Sequence, residues 1–361
     1  ERVEKFLEFI SLMDCSKISK DFLVSYEDEA FVNEVLNQLN SYSLITIDQA
    51  YDKKDHTTFS INRYAVDILR LKATRNKKIN RKILSIMVEK ISVYIQKQLI
   101  KESYLKIRGM LSTVEMLLKY NESLSGLQRE KLYFSLGQMK EFLGSYEESL
   151  IAYQKSYDYN LERKSKNNID TAKILIALGN SQKRLERFQE SVKSYENGID
   201  LFRKNYGEQY GQIADIMSSL ANTFKGQGDY KKSEKYFLEA LNIYDIHKNS
   251  EKISFLKARL GNLYSHLGDY KKGLPFLEDA LKIYEKIFGE EDVKTSWVQV
   301  NLAYVYIEIG LNERAEEILE KSLKLRIKHY GEKHPKTGWV LANYARLYTN
   351  TGNFKKAEAY A

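Results

Sequence analysis

Apolar and small residues recur in six copies along the last two thirds of the chain. Each copy begins with a large side chain followed by a small one: Leu136-Gly137, Leu178-Gly179, Leu220-Ala221, Leu260-Gly261, Leu302-Ala303 and Tyr344-Ala345, at spacings of 42, 42, 40, 42 and 42 residues. Seven residues later a glycine follows in five copies, and Glu186 replaces it in the other. Closely packed helices need small residues at their contact, and the turn between them needs a positive φ, so the pattern predicts helix–turn–helix repeats.

One pair of helices cannot bury its apolar face alone, so stacked pairs form a solenoid with a long concave surface. The register of the small residues resembles that of tetratricopeptide repeats. The longer period, with Gly-Glu at 207–208 and 289–290 and Gly-Glu-Lys-His-Pro at 331–335, resembles the kinesin-light-chain type of this repeat. The resemblance covers residues 126–361. It implies a mostly α fold, a right-handed superhelix of about six repeats with the last truncated.

Residues 1–75 follow a different pattern, which predicts a small α/β domain. Apolar residues at helical spacing occupy 3–13, 20–24 and 31–39, strand-like segments follow at 44–47 and 57–61 around a polar turn at Asp52–Asp55, and a further helix covers 64–73. This order predicts a winged-helix domain. Val35–Leu39, Ser43–Ile45 and Phe59–Val66 resemble the winged-helix domain of STAND or NLR-like ATPases, many of which continue into tetratricopeptide repeats.

The resemblance to these ATPases implies a nucleotide-binding domain upstream in a longer protein, and both ends of the sequence fall inside predicted helices. Where the family often has a histidine that contacts the nucleotide, this chain has Asn62. Asn62 can donate a hydrogen bond to phosphate or, alternatively, cap the following helix. The chain has no Gly-x-x-x-x-Gly-Lys-Ser/Thr loop, so we expect it to bind no nucleotide or other cofactor by itself.

Charge separates the N-terminal domain from the segment that follows it. Residues 1–70 hold eight Lys/Arg and thirteen Asp/Glu, a balance of 8 − 13 = −5, which argues against binding of nucleic acid. Residues 71–125 hold twelve against four, or +8, densest at 72–82. We expect residues 76–125 to form a basic helical connector that caps the repeats. Its charge fits a solvated surface, an acidic neighbouring domain, or weak attraction to nucleic acid or a membrane surface.

Catalytic and metal-binding spacings are missing from the sequence, so an enzyme is not expected. The five histidines are scattered, and the single cysteine, Cys15, lies at an apolar helix end where packing explains it. A lone cysteine favours a reducing compartment, and no apolar run approaches the ~20 residues that span a bilayer. The sequence therefore predicts a cytoplasmic protein without a membrane span.

Polar side chains directly follow the small residue of each first helix, where the repeat geometry directs them toward the concave surface. They are Gln138, Asn180, Asn222, Asn262, Tyr304 and Arg346. The four amides can satisfy the backbone of an extended peptide, or alternatively bridge neighbouring helices. Lys183 and Lys225 add positive charge beside them. Trp297 and Trp339 stand six residues before the small residue of their copies and add an aromatic surface, with core packing as the alternative.

Two functions fit these patterns. In the first, the chain is the sensor and regulatory part of a STAND-like or NLR-like signalling protein, whose repeats bind a protein or extended peptide and whose N-terminal domain passes the event to an upstream ATPase. In the second, the chain is a plain scaffold or adaptor that holds a partner without a nucleotide switch. Domain order favours the first, and Asn62 in place of histidine favours the second.

Overall fold

The structure, a computed structural model, is mostly α-helical, as the sequence predicts. It describes residues 1–16, 18–48, 58–73, 81–120, 123–163, 169–208 and 210–360. Helix accounts for 81% of the chain, in paired helices preceded by a few short strands. The predicted turn at Asp52–Asp55 and most of the basic stretch at 72–82 lie outside the described residues.

The N-terminal part contains four helices and a small antiparallel sheet. Its elements in chain order are α1 (Arg2–Ser11), β1 (Ile18–Ser19), α2 (Lys20–Val24), α3 (Glu29–Ser41), β2 (Ile45–Asp48), β3 (Thr58–Ile61) and α4 (Arg63–Ala73). Strand β3 lies between the other two, pairing Phe59 with Ile18 and Ile61 with Ile45. The sequence predicts β2 and β3 but not β1, which is only two residues long.

The next two helices, α5 (Arg81–Ile100) and α6 (Tyr104–Lys119), share a hydrophobic core with the N-terminal elements. The ring of Tyr94 in α5 meets that of Phe22 edge-on at 5.2 Å, and its hydroxyl lies 3.1 Å from the hydroxyl of Ser19. Arg70 Nε donates to the carbonyl of Ser11 at 2.9 Å. The same core continues to Met139 in the first repeat. Burial of apolar surface therefore couples the N-terminal part to the repeats.

The described residues that follow form six helix pairs, and in each pair the first helix carries the small residue predicted from the sequence. They are α7 (Gly126–Phe142) with α8 (Tyr146–Glu162), α9 (Ile169–Arg184) with α10 (Phe188–Tyr206), α11 (Gly211–Gly226) with α12 (Tyr230–Ile246), α13 (Ser250–His266) with α14 (Tyr270–Phe288), α15 (Val293–Glu308) with α16 (Asn312–Tyr330), and α17 (Pro335–Asn350) with α18 (Phe354–Tyr360). A Cβ atom at Gly137 would lie 2.5 Å from the ring of Tyr153 in the partner helix. The small residues therefore mark the closest approach of the paired helices.

The turns within the pairs use a left-handed residue. Gly144, Gly228, Gly268, Gly310 and Gly352 have φ between +74° and +82°. Glu186, which replaces glycine in the second pair, has the same conformation at φ +58°. Lys248 does the same in a turn between repeats, at φ +51°. These turns therefore keep the left-handed conformation even where another residue replaces glycine.

The chain divides into two compact units, residues 1–201 (unit 1) and residues 202–361 (unit 2). Unit 1 holds the N-terminal elements, α5, α6 and the repeats as far as most of α10. Unit 2 holds the repeats from α11 onward, and Val298, Leu319 and Val340 lie fully buried in one of its hydrophobic clusters. The predicted boundaries at residues 75 and 125 remain predictions.

Candidate functional site

The six residues that follow the small residues all lie in first helices, but they are divided between the two units. Gln138 and Asn180 belong to unit 1, and the other four belong to unit 2. All except Arg346, which is exposed, are half-buried. Their side chains differ in how much hydrogen-bonding capacity the fold leaves to them.

In unit 1 both amides accept a hydrogen bond from a neighbouring helix. Gln96 Nε2 of α5 donates to Gln138 Oε1 at 2.6 Å, and the Tyr195 hydroxyl of α10 donates to Asn180 Oδ1 at 2.6 Å. The Lys183 ammonium lies 5.8 Å from the centre of the Tyr195 ring, within cation–π distance. These amides bridge helices through their oxygen, and their NH₂ groups remain as donors.

In unit 2 the described amides at this position form no hydrogen bond to a neighbouring helix, unlike those of unit 1. Asn222 Nδ2 donates to the carbonyl of Ser218 in its own helix at 2.7 Å, which leaves its oxygen as an acceptor. Among the residues that the structure describes, Asn262 makes no side-chain hydrogen bond, so it keeps both its donor and its acceptor. The position is therefore chemically suited to bind peptide groups.

Two cations, Lys225 and Arg259, and one histidine, His266, lie beside these amides, and the sequence analysis singled out only Lys225. Burial and the charge of Arg259 hold the pKa of Lys225 below its usual value, and burial and the charge of Lys225 do the same to the pKa of His266. Burial also lowers the pKa of Arg259, whose Nε atom has no hydrogen-bond partner within the described part of the chain. The positive charges of Lys225 and Arg259 make this surface attractive to an anion, while His266 stays mostly neutral at neutral pH. Comparing residues across adjacent repeats would have revealed the cluster.

The two tryptophans line one cleft of about 410 Å³ in unit 2. The Trp297 ring stacks on Phe255 at 5.8 Å, and the Arg259 guanidinium lies 5.2 Å from the centre of the Trp297 ring. Trp339 is 41% exposed and has the buried Arg326 guanidinium 5.7 Å from its ring centre. Phe255 stands 42 residues before Trp297, in the same register, and was also missed by the sequence analysis. Trp297 combines partial core packing with an open face.

Tyr304 and Arg346 belong to a polar network that holds both side chains in place. Arg346 Nη1 donates to Glu308 Oε1 at 2.9 Å and lies over the Tyr304 ring, 5.0 Å from its centre. The Tyr270 hydroxyl donates to the other oxygen of Glu308 at 3.1 Å. Burial, with hydrogen bonds to Tyr304 and Glu308, raises the pKa of Tyr270 to about 12. These two predicted residues are therefore already engaged within the fold.

Asn62 lies outside the repeats, at the start of α4. Its Oδ1 accepts a hydrogen bond from the backbone N–H of Tyr64 at 2.9 Å, and its own side chain is exposed. This geometry caps the helix, one of the two roles considered from the sequence. A nucleotide contact by Asn62 in a longer protein remains a prediction.

The chain belongs to the tetratricopeptide-repeat family. Models of this repeat match residues 170–246, 254–328 and 298–361, and a further one matches residues 130–162. No curated protein matches the chain by sequence. Within the described residues, no helix is long and apolar enough to cross a membrane.

Solved structures with low sequence identity share the fold. The apo form of RapI matches at 16% identity over 91% of this chain and 84% of its own, with a TM-score of 0.61. The quorum sensor NprR from B. thuringiensis matches in its apo form at 13% identity, over 93% of this chain and 97% of its own, with a TM-score of 0.55. NprR in complex with its cognate peptide NprX matches at 14% identity, over 93% of this chain and 84% of its own, with a TM-score of 0.55. A putative kinesin light chain from Podosopora anserina matches at 16% identity, over 57% of this chain and 98% of its own, with a TM-score of 0.50.

Proposed function

We propose that the chain is a protein-binding module whose first helices bind an extended segment of a protein or peptide. The observation that carries this proposal is the recurrence, at one register position, of amides whose hydrogen-bonding groups are not all used within the described part of the fold. Asn180 keeps its donors, Asn222 keeps its acceptor, and Asn262 keeps both. An extended peptide presents unpaired N–H and C=O groups that such amides satisfy without demanding a particular sequence.

Two further features support the same function. Lys225 and Arg259 favour an anionic group in the ligand, and the cleft at Trp297 and Trp339 offers room for an apolar side chain. The fold likeness to NprR, which has been solved with its cognate peptide, extends over 93% of this chain and is consistent with a peptide-binding role.

The test begins with a random peptide library displayed on phage and selected against the purified chain. Enriched peptides are synthesised and titrated by calorimetry. Replacing Asn180, Asn222 and Asn262 together by alanine removes three hydrogen bonds at about 1 kcal/mol each, so we expect affinity to fall roughly a hundredfold. Trp339→Ala should weaken the same peptides separately by about 2 kcal/mol, since an aromatic anchor contributes that much at an interface.

The matched control changes three exposed amides on second helices, Gln154→Ala, Asn197→Ala and Asn242→Ala, and should leave affinity unchanged. Circular dichroism verifies that both triple variants remain helical. Peptides that bind the first triple variant as tightly as the wild type would place the binding surface elsewhere. Raising the salt concentration should weaken binding, because dissolved ions screen the attraction of Lys225 and Arg259 for an anionic ligand.

We further infer that this module is the cytoplasmic sensor part of a STAND-like or NLR-like protein. The order helix, strand, helix, helix, strand, strand, helix before α5 supports a winged-helix domain, and an antiparallel sheet with β3 in the centre fits it. The coding region upstream decides the question. A phosphate-binding loop there supports the switch, and its absence leaves the plain scaffold or adaptor, which the capping role of Asn62 favours.

A further inference from the structure

A second cavity, in unit 1, lies far along the chain from the amides and is lined by lysines. It has a volume of about 460 Å³ and lies among α2, α5 and the start of α6. Among the described residues it is lined by five lysines, Lys20, Lys90, Lys97, Lys101 and Lys106, and by two carboxylates, Asp21 and Glu29. The balance of 5 − 2 = +3 makes the cavity, here called the lysine pocket, attractive to anions.

Three of the five lysines are neutralised or held by the fold. Lys20 pairs with Glu29 at 3.2 Å, Lys106 pairs with Asp21, and Lys90 donates to the backbone carbonyl of Ser25. The remaining two form no ion pair with any residue that the structure describes. These are Lys97, in the last turn of α5, and Lys101, in the turn that follows. They are exposed and available to a ligand that carries phosphate.

One of the residues that line the lysine pocket, Gln98, holds an unsatisfied acceptor. Gln98 is 3% exposed and lines the pocket, and its Oε1 atom has no hydrogen-bond partner among the described residues. A buried amide oxygen without a partner costs free energy, so a ligand with a donor group would be stabilised there. Burial raises the pKa of Tyr94, in the same wall, to about 12, and the phenol therefore stays neutral. The unsatisfied acceptor of Gln98, near Lys97 and Lys101, fits a ligand that carries a hydroxyl group beside its phosphate.

Apolar side chains project into solvent from α5, which lines the lysine pocket, and from the start of α6. Ile100 is 83% exposed, and Val93 and Leu105 are each 67% exposed. Val93 lines the pocket itself, while Ile100, Tyr104 and Leu105 flank the short turn that joins α5 to α6 and carries Lys101. Exposed apolar residues interleaved with lysines are typical of proteins that insert into the interface of an anionic membrane.

We propose that the lysine pocket binds the phosphorylated polyol headgroup of an anionic lipid. Lys97 and Lys101 contact the phosphate, Gln98 accepts a hydrogen bond from a headgroup hydroxyl, and Ile100 and Leu105 enter the acyl boundary. A lipid is favoured over an acidic protein segment because the apolar side chains project outward from a turn instead of lining a groove. Binding of this kind is peripheral and requires no spanning helix.

The experiment is sedimentation of the full chain with vesicles of equimolar phosphatidylcholine and phosphatidylglycerol, against vesicles of phosphatidylcholine alone. The wild type should sediment only with the anionic vesicles. Each exposed lysine near a membrane surface contributes measurably, so Lys97→Gln with Lys101→Gln should weaken binding about tenfold or more. Ile100→Ser with Leu105→Ser should also weaken it, while Lys155→Gln with Lys193→Gln, which removes the same charge from second helices, should not.

Two further arms identify the source of the chemistry. Soluble glycerophosphoglycerol should compete with the vesicles if the headgroup is what the pocket recognises. Gln98→Leu should weaken binding to phosphatidylglycerol but not to phosphatidic acid, whose headgroup has no polyol. The proposal is overturned if no vesicles sediment the protein, if the two lysine double variants behave alike, or if the pocket instead binds a poly-glutamate peptide. The triple asparagine variant should still bind vesicles, so this outcome is independent of the peptide site.

Discussion

Gly137 stands where two helices touch, and the fold leaves no space there for a methyl group. A Cβ atom would lie 2.5 Å from the ring of Tyr153, which is buried and unable to move freely. We therefore expect Gly137→Ala to lower the free energy of unfolding by about 1–3 kcal/mol through overpacking. Urea denaturation followed by circular dichroism measures the change.

The control for Gly137 is Gly338, a glycine in α17 whose added Cβ would meet nothing within 4 Å. There the higher helix propensity of alanine acts alone, and Gly338→Ala should raise the free energy of unfolding by about 0.5–1 kcal/mol. If both variants shifted stability in the same direction, the close approach at Gly137 would not be what selects glycine.

Glu141 gives the fold a dependence on pH whose sign follows from its surroundings. Burial raises the pKa of its carboxyl group, although the Tyr153 hydroxyl donates to Oε2 at 2.8 Å. A raised pKa in the folded state favours folding when pH lies below the unfolded pKa, and this contribution is lost as pH rises through the folded pKa. The charged carboxylate is therefore less well accommodated at neutral pH.

We expect Glu141→Gln, which keeps an oxygen for Tyr153, to be stabilising relative to the wild type at pH 7.5 and to lose this advantage at pH 4, below the unfolded pKa of about 4.3. Urea unfolding of both proteins at the two pH values measures the difference. An advantage that is equal at both pH values would show that the carboxyl group is not what titrates.

The register of the amide residues followed from the sequence, but their hydrogen bonds did not. Asn180 and Asn262 occupy equivalent positions, yet the first accepts from Tyr195 while the second has no such partner. The difference arises because residue 277, the counterpart of Tyr195 in α14, is Leu, which has no hydroxyl to donate. The cluster of Lys225, Arg259 and His266 was missed because its members come from two neighbouring repeats at different register positions.

The turn within the second helix pair has Glu186 where its counterparts have glycine, and Glu186 adopts φ +58°. A side chain in this conformation costs roughly 1 kcal/mol or more, and glycine relieves that cost. Glu186→Gly should therefore raise the free energy of unfolding by about 0.5–1 kcal/mol, whereas Gly144→Ala, at φ +82°, should lower it. Thermal denaturation of the two variants checks both signs, and a destabilised Glu186→Gly would mean that the glutamate side chain contributes more than its strain.

Most elements could be predicted because their signals are long. The helices α7 to α17 are each sixteen residues or longer, and a small residue in each first helix and a turn residue after it mark each pair. Strand β1 was missed because Ile18 and Ser19 are too few for any alternation to register, and only their pairing with Phe59 and Thr58 defines the strand. A connector that caps the repeats was expected, but the side chains of α1, α5 and α7 that share one core were not predicted, since contacts between distant segments leave no local pattern.

Within a repeat protein each pair of helices contacts mainly its neighbours, so damage to one pair should stay local. Ala303 lies in α15 and is fully buried. Ala303→Leu should therefore overpack the pair of α15 and α16 and lower the free energy of unfolding by about 1–3 kcal/mol. Hydrogen exchange read by mass spectrometry should show faster exchange in residues 250–360 and unchanged exchange in residues 1–163. A uniform increase along the chain would contradict a sum of neighbouring contacts and indicate one cooperative unit.

The chain has two tryptophans and 27 tyrosines, and both tryptophans line the aromatic cleft of unit 2. Tyrosines such as Tyr94 and Tyr153 lie in unit 1, but light of a wavelength that tryptophan absorbs and tyrosine does not excites no tyrosine emission. The protein therefore carries its own optical reporter for residues 202–361. A peptide that reaches the cleft should change this emission, while a lipid headgroup held at Lys97 and Lys101 should leave it unchanged, so the emission reports peptide binding without an added label.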